Sequence, residues 1–136
     1  MKMLLVSHGS FAEGLADILN NFLGTGGVSF ASVTLDGGVD HLMAGVNDFL
    51  AGCTDDEQVV ICSDMLGGSA NQNVYAAALE RPNTYLVAGM NLPLVFQLNL
   101  CGGDVTHDQL LDMIEEAKAG IVLVNDLSFG SSDDDE

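Results

Sequence analysis

Short apolar segments and helix-forming segments alternate along this chain, and that alternation constrains the fold more than any other feature of the sequence. Four segments have the length and apolar character of buried strands: Met3 to Ser7, Val28 to Leu35, Gln58 to Ser63 and Tyr85 to Ala88. A segment with apolar residues at helical spacing follows each of them. Strands that alternate with helices favour a mainly parallel sheet with helices on both faces. The sequence therefore predicts an α/β fold, an open three-layer sandwich.

The predicted strand order brings two polar residues to one edge of the sheet. We expect the order 2-1-3-4, with right-handed crossovers between parallel strands. In that order the winding reverses between strands one and three, and open α/β sheets bind ligands at such a point, beyond the carboxyl ends of the strands. The loops that follow strands one and three carry His8 and Asp64. A candidate site is expected where these loops meet.

Five helices are predicted, and three pairs of residues match the capping-box pattern: Ser10 with Glu13, Ser69 with Gln72, and Thr106 with Gln109. The helices are expected to run from Phe11 to Leu23, from the cap Asp40 to Gly52, from Ser69 to about Leu79, from Asn91 to Leu100 and from Thr106 to Gly120. The face that the first helix should bury comprises Phe11, Leu15, Ile18, Leu19 and Phe22.

The carboxyl-terminal part of the chain is predicted to contain one more strand, from Ile121 to Val124, and then a disordered acidic tail at residues 131–136. The 136 residues favour a single domain, at residues 1–130. No apolar run is long enough to span a bilayer, and the run after Lys2 is too short for a signal peptide. A cytoplasmic location is therefore expected.

The charge of the chain limits its partners. Twenty acidic residues stand against three basic ones, Lys2, Arg81 and Lys118, for a formal net charge of −17. Nucleic-acid binding is excluded, because its affinity comes largely from Lys and Arg that neutralise phosphates. Tight binding of a free polyanion is disfavoured, whereas a basic protein partner is favoured. Solubility or a salt-adapted host would also explain this composition, and composition does not separate these readings.

No residue pattern indicates a metal ion or a cofactor. The three cysteines, Cys53, Cys62 and Cys101, are far apart and lack the spacing of a zinc site, so we expect small buried or partly buried thiols. His41 and His107 each fall in the first turn of a predicted helix, where a solvated histidine is expected.

His8 lies where the first strand ends and the first helix begins. Free backbone N–H groups and the positive end of the helix dipole favour an anion at such a place. An imidazole beside an anion site suits a histidine that carries or handles phosphate. The alternative is a strand-end histidine that only forms a hydrogen bond with a neighbouring loop.

The loop after the third strand contains residues that suit this chemistry. The carboxylate of Asp64 would fix the tautomer of His8 and leave the other ring nitrogen as the nucleophile or base. Gly67 and Gly68 let backbone N–H groups approach an anion closely, and Ser69 adds a hydroxyl donor. Alternatively, Asp64 caps a helix or faces water, and the glycines serve only to turn the chain.

Three motifs together resemble a known family: Val6-Ser7-His8-Gly9, Asp64-Met65-Leu66-Gly67-Gly68-Ser69 and Gly89-Met90-Asn91-Leu92-Pro93. Their order and the chain length are similar to those of the enzyme IIA domain of the mannose-type sugar phosphotransferase system. The sequence departs from the family at Ala70, where proline is usual, and at Gln72, where asparagine is common. Asn71 and Asn73 flank Gln72. These departures affect the expected shape of the loop and leave the histidine chemistry intact.

The resemblance implies a phosphoryl relay in bacterial sugar uptake. His8 would accept the phosphoryl group from a histidine-containing phosphocarrier protein and pass it to a IIB protein, with Asp64 as the orienting carboxylate. The membrane IIC/IID permease would be an indirect partner. The residues expected to bind the phosphoryl oxygens are Gly9, Ser10, Gly67, Gly68 and Ser69. The family also implies a homodimer, with Ile121 to Val124 as an antiparallel strand exchanged between subunits.

Other functions fit the residues less well or stay open. A phosphatase or mutase is suggested by Ser7-His8-Gly9 but needs several arginines, and Arg81 is the only one. A receiver domain phosphorylated on Asp64 needs an acidic pair after the first strand and a lysine after the last, where this chain has His8-Gly9 and Asn125. A IIA-like subunit of a dihydroxyacetone kinase and a phosphorylation-dependent regulatory protein remain alternatives.

Overall fold

The computed structural model describes residues 1–23, 26–65 and 67–128, so the predicted tail at 131–136 lies outside the described residues. Four strands are present: β1 (Lys2–His8), β2 (Ser29–Val33), β3 (Val59–Ser63) and β4 (Thr84–Ala88). Five α-helices accompany them: α1 (Phe11–Asp17), α2 (Gly38–Ala51), α3 (Gly68–Glu80), α4 (Leu92–Leu100) and α5 (His107–Ala119). A π-helical segment, Ile18–Phe22, continues α1, and a 3-10 helix, Val124–Asp126, follows α5.

The four strands form one parallel sheet in the predicted order β2-β1-β3-β4. β1 is central, with His8 beside Val33 of β2 and Val6 beside Ser63 of β3. All five residues of β3 are buried, as expected for a parallel strand covered on both faces. The predicted strand order is therefore confirmed.

Two apolar cores flank the sheet and make three layers. One face of the sheet packs against α1, α4 and α5, and the other packs against α2 and α3. The alternation of side chains along a strand divides β1 and β3 between the cores. The fully buried residues of the first core include Leu5, Val60, Leu19, Val95 and Leu98, and those of the second include Val59, Ile61, Val46 and Val74.

The edge of the sheet opposite the candidate site is held by a buried glutamine. The side chain of Gln58, the residue before β3, donates to the carbonyl of Val105 and accepts from its N–H, each at 2.8 Å. This reciprocal pair reproduces the bonding of a neighbouring strand, and it anchors the segment before α5 to the sheet. Thr106 then caps α5 with the predicted capping box, in which Gln109 takes part.

The predicted caps of three helices need correction, although α1 begins at Phe11 as predicted. Ser10 makes no side-chain capping bond to α1; the N–H of Ala12 instead donates to the buried Oγ of Ser7, at 2.7 Å. α2 begins at Gly38, so Asp40 lies inside its first turn and does not cap it. α3 begins at Gly68, one residue before Ser69. Glycines therefore begin α2 and α3 earlier than the capping pattern indicated, and in α1 a serine upstream of Ser10 accepts the hydrogen bond.

The buried face of the first helix is also smaller than predicted. Phe11 and Phe22 are 47% and 78% exposed, whereas Leu15 and Leu19 are buried. The chain changes from α- to π-helical geometry at Ile18, and this change alters the spacing of the face. Phe22 is consequently turned away from the core.

The predicted last strand at Ile121 to Val124 is not a strand within the described chain. Residues 121–123 are irregular and Val124 opens the 3-10 helix. A strand needs a neighbour for its backbone hydrogen bonds, and no described strand of the same chain pairs with this segment. Its side chains are 51% to 78% exposed.

The cysteines lie as predicted, with Cys62 fully buried and Cys53 and Cys101 half-buried. Burial raises the pKa of the Cys62 thiol to about 12, so this group stays protonated near neutral pH. Each of the half-buried thiols donates to the carbonyl four residues earlier, Phe49 and Gln97 respectively.

Candidate active site

The structure brings His8 and Asp64 together at the carboxyl edge of the sheet. His8 is the last residue of β1, and Asp64 follows the last residue of β3, the adjacent strand. The ring Nδ1 of His8 donates to Oδ2 of Asp64 at 2.9 Å, and the backbone N–H of His8 donates to the same oxygen at 2.9 Å. The convergence expected from the strand order is therefore present as a direct contact.

This contact leaves the other ring nitrogen of His8 available. With Nδ1 bound to the carboxylate as a donor, Nε2 carries the lone pair of the neutral ring and can act as an acceptor or nucleophile. The imidazole is 57% exposed, whereas the carboxylate is only 19% exposed. The His8 ring is thus exposed to solvent, whereas the Asp64 carboxylate that binds it lies further inside the protein.

The charge of Asp64 depends on its neighbour. Partial burial by itself raises the pKa of this carboxyl, but the hydrogen bonds from the backbone and ring of His8, together with the charge of the ring, outweigh burial. The backbone of Met65 lowers the pKa of Asp64 further. The net effect lowers the pKa of Asp64, so the group is ionised near neutral pH.

The turn after His8 is shaped by Gly9, whose φ of +58° falls in the left-handed region that favours glycine. Its N–H donates to the carbonyl of Val33 at 2.9 Å, so this amide supports the sheet edge. Ser10 is exposed beside it. Sequence reasoning missed the role of Ser7 at the start of α1; the available signal was a hydroxyl three residues before the predicted cap Ser10.

The glycine loop lies against the same site. Gly67 and Gly68 have φ of +90° and +80°, which is conformational space that other residues rarely adopt, and Gly68 opens α3. Gly67 lines a cleft with His8 and Asp64. The first turn of α3, whose N–H groups have no acceptor within the helix, therefore begins beside this cleft. Ser69 lies in that turn, and its side chain falls outside the described part of the structure.

The third motif links the neighbouring strand to this edge. The N–H of Met90 donates to the carbonyl of Ser63, the last residue of β3, at 2.9 Å. Asn91 caps α4 by accepting from the N–H of Leu94, and its side-chain amide donates to the carbonyl of Ala117 in α5. The motif thus fixes the positions of β4, α4 and α5.

Comparison with known proteins identifies the family. The model of the family described as the fructose IIA component of the phosphotransferase system (PTS) matches residues 2–118. The chain belongs to this family. The resemblance to the mannose-type IIA domain is thereby confirmed, and the chain is a PTS IIA component. None of the curated proteins searched matches it by sequence.

Solved structures of PTS proteins have the same fold. A Klebsiella pneumoniae protein named for a phosphoenolpyruvate-dependent sugar PTS permease is 26% identical, with a TM-score of 0.74 over 92% of this chain and 91% of that one. The mannose/sorbose-specific IIA subunit from Enterococcus faecalis is 19% identical, with a TM-score of 0.76 over 93% and 96%. Component EIIA from Streptococcus agalactiae is 20% identical, with a TM-score of 0.76 over 93% and 98%.

The basic residues of this IIA component lie away from the cleft. Lys2 pairs with Glu57 at 3.5 Å and Lys118 pairs with Glu115 at 3.0 Å. Arg81 donates to the backbone carbonyl of Thr54. None of the three is among the described residues that line the cleft at His8. The described lining of the cleft therefore includes no Lys or Arg of the kind with which a phosphatase holds a free phosphate ester.

The other two histidines of the IIA component are exposed and stand apart from the site. Nδ1 of His41 contacts the carbonyl of Ser32 at 2.9 Å, and Nδ1 of His107 contacts Asp108 at 3.4 Å. Within residues 1–23, 26–65 and 67–128, no group of three or more His, Cys, Asp or Glu side chains could hold a metal ion. No helix in those ranges is long and apolar enough to cross a membrane.

Proposed function

We propose that this PTS IIA protein is a phosphoryl relay: His8 accepts a phosphoryl group from the histidine-containing phosphocarrier protein and passes it to a IIB protein. The relay would operate in the cytoplasm and reach the membrane IIC/IID permease through IIB. The observation that carries the proposal is the 2.9 Å contact between His8 Nδ1 and Asp64 Oδ2, which leaves Nε2 exposed.

The transfer step follows from this arrangement. The lone pair of His8 Nε2 forms a bond with phosphorus as the bond between phosphorus and the ring nitrogen of the carrier breaks. The electron pair of the broken bond remains on the nitrogen of the carrier. The proton of His8 stays on Nδ1, so the ring gains positive charge, and the ionised Asp64 compensates that charge. Transfer to IIB reverses the same step with a different histidine.

The placement of charge supports a protein as the phosphoryl donor. The cleft lacks Lys and Arg among its described residues, so it offers little affinity for a free phosphate compound. The net charge of −17 favours encounter with a basic carrier, which would bring the phosphoryl group already bound. The amide groups at the start of α3, near Gly67 and Gly68, would then contact the phosphoryl oxygens during transfer.

We also propose that the protein is a homodimer. The segment Ile121 to Val124 is apolar and exposed. β4 is one of the two edge strands of the sheet and pairs only with β3 among the described strands, so its outer edge is open to a further strand. Antiparallel addition of the segment from a second copy to this edge would satisfy both the backbone groups and the apolar side chains.

Labelling tests the relay. The protein is incubated with labelled phosphoenolpyruvate, enzyme I and the phosphocarrier, and the label should be acid-labile and base-stable, as on a phosphohistidine. His8→Ala should abolish labelling. The matched control is His107→Ala, which removes the other exposed histidine beside an aspartate and should be labelled like wild type. Label that persists in His8→Ala, or none in wild type, would contradict the proposal.

A further inference from the structure

Two buried polar atoms lie unpaired beside the candidate active site. Ser63 Oγ and Asn71 Oδ1 have no hydrogen-bond partner among the described residues. Ser63 is only 2% exposed and ends β3, and Asn71 lies near the start of α3. Both line the cleft that His8 and Asp64 line. A buried polar atom that stays unpaired costs free energy, so these two atoms point to a bound polar group.

The register of the sheet places Ser63 beneath His8. Ser63 pairs with Val6, two residues before His8 on the neighbouring strand. Because side chains alternate along a strand, Val6 and His8 share one face of β1. Val6 and Ile61, two residues before Ser63, belong to the core under α2 and α3, so Ser63 faces that core as well. The hydroxyl of Ser63 therefore lies on the inner side of the site, under the imidazole.

We propose that Ser63 and Asn71 bind one ordered water molecule and through it act as positioning residues for Asp64. The cleft as a whole has room for about one water molecule. The water would donate to Asn71 Oδ1 and share a second hydrogen bond with the Ser63 hydroxyl, which both donates and accepts. It would thereby join the end of β3 to the start of α3, the two elements on either side of the Asp64 loop.

The described residues on the far side of this loop provide few other constraints. α3 has no side-chain cap, and its N-terminal residues Gly67 and Gly68 adopt positive φ. A water that bridges β3 and α3 would hold the loop where Asp64 reaches His8. The consequence for transfer rests on the proposed relay function, whereas the water site itself does not.

A phosphoryl oxygen is a poorer occupant than water. His8 is 57% exposed and its free Nε2 lies across the ring from Asp64, so a phosphoryl group would stand on the solvent side. Ser63 is on the buried side. A tetrahedral phosphoryl group is also larger than the single water molecule for which the cleft has room.

The first test measures the water site without any phosphotransfer. A crystal structure at about 1.2 Å resolution should place one water within hydrogen-bond distance of both atoms; a structure with no water there overturns the proposal.

Thermal unfolding gives a separate measurement. Ser63→Ala and Asn71→Ala should each lower the melting temperature. The decrease in the double variant should be smaller than the sum of the two single decreases, because either change alone releases the shared water. Strict additivity overturns the proposal. Ser29→Ala removes an exposed hydroxyl on β2 and serves as the control.

The second test measures the effect on the His8–Asp64 pair. Nitrogen-15 NMR of the His8 ring should show a single Nδ1–H tautomer in wild type and a mixture in Ser63→Ala, with Ser63→Thr restoring the single form. Labelling by the phosphocarrier should slow about tenfold in Ser63→Ala and recover in Ser63→Thr. If Ser63→Ala changes neither the His8 tautomer nor the labelling rate, Ser63 does not position Asp64. If the melting-temperature losses of Ser63→Ala and Asn71→Ala are non-additive only in phosphorylated protein, the bound group is a phosphoryl oxygen. That result would overturn the proposed water. If wild type is not labelled at all, the relay proposal fails, and the crystal, unfolding and tautomer measurements still decide this one.

Discussion

Oδ2 of Asp64 accepts two hydrogen bonds from one residue, the backbone N–H and the ring Nδ1 of His8, each 2.9 Å long. The carboxylate is therefore fixed to the strand end as well as to the ring. Rotation of the imidazole away from Asp64 would break one bond and leave the other, so the carboxylate would remain in place to recapture the ring. This double contact preorganises the pair before any partner docks.

Replacing Asp64 with asparagine should slow phosphoryl transfer and leave the fold intact. The amide keeps the shape of the side chain, but it lacks the negative charge that compensates the positive ring of phospho-His8. We expect labelling by the phosphocarrier to slow about a hundredfold, measured by rapid-quench sampling. The control is Asp108→Asn, which changes the carboxylate of the exposed pair His107–Asp108 in the same way. An unchanged rate in Asp64→Asn would remove the charge of Asp64 from the mechanism.

The stability contributed by Asp64 should disappear in acid. The pKa of this carboxyl in the folded protein lies below its ordinary value of 3.8. The ionised group therefore stabilises the fold fully above the unfolded value, and this contribution is lost as pH falls through the lower, folded value. Denaturant unfolding should show wild type more stable than Asp64→Asn at pH 6, with the difference shrinking below about pH 4. A difference that stays constant down to pH 2.5 contradicts this expectation.

Ser7 and Ser10 should differ sharply in their effect on stability. Ser7→Ala removes the acceptor of the Ala12 N–H and leaves that buried donor without its partner. We expect a loss of about 1–3 kcal/mol in the free energy of unfolding. Ser10→Ala removes an exposed hydroxyl that makes no capping bond, and it should cost less than about 0.5 kcal/mol. Urea titration of both variants measures the difference, and equal losses would show that the capping role assigned to Ser7 is wrong.

A charge in the exposed carboxyl-terminal segment should abolish the proposed dimer. Leu123→Asp places a carboxylate among apolar side chains that would be buried in the partner, so sedimentation velocity should show monomers at concentrations where wild type is dimeric. Leu35→Asp adds the same charge at a fully exposed leucine in the turn after β2 and should remain dimeric. Monomeric wild type, or a dimer that Leu123→Asp does not disturb, would contradict the strand exchange.

Salt should affect stability and partner encounter in opposite directions. Self-repulsion at a net charge of −17 is screened as the Debye length falls from about 10 Å at 0.1 M to about 3 Å at 1 M, so the melting temperature should rise. The same screening weakens attraction to a basic carrier, so the labelling rate at limiting carrier should fall. A melting temperature that falls with added sodium chloride would indicate that repulsion does not limit the stability of this protein.

The strand order and the His8–Asp64 meeting point were predictable from the sequence because both follow from topology. Once strands alternate with helices, handedness and the order 2-1-3-4 bring the loops after β1 and β3 to one edge, whatever their detailed shape. The start of α5 was predictable because Thr106 and Gln109 complete a capping box with no competing acceptor.

The remaining details depend on three-dimensional competition that a linear pattern does not contain. Ser10 has the capping pattern, but the hydroxyl of Ser7 accepts the Ala12 N–H instead. Asp40 is preceded by Gly38, which can adopt positive φ and begins the helix earlier. The apolar run at residues 121–124 predicts a strand, but among the described residues it pairs with no strand of its own chain. A linear pattern does not show whether the segment reaches an open sheet edge.

The distance along the chain between the two residues of the site has a consequence for synthesis. The contact between His8 and Asp64 spans 56 positions. A nascent polypeptide that has left the ribosome only as far as β2 contains the histidine, but neither the carboxylate nor the strand that carries it. The site therefore forms only after β3 has inserted beside β1, and until then the growing chain has no preorganised phosphoryl acceptor.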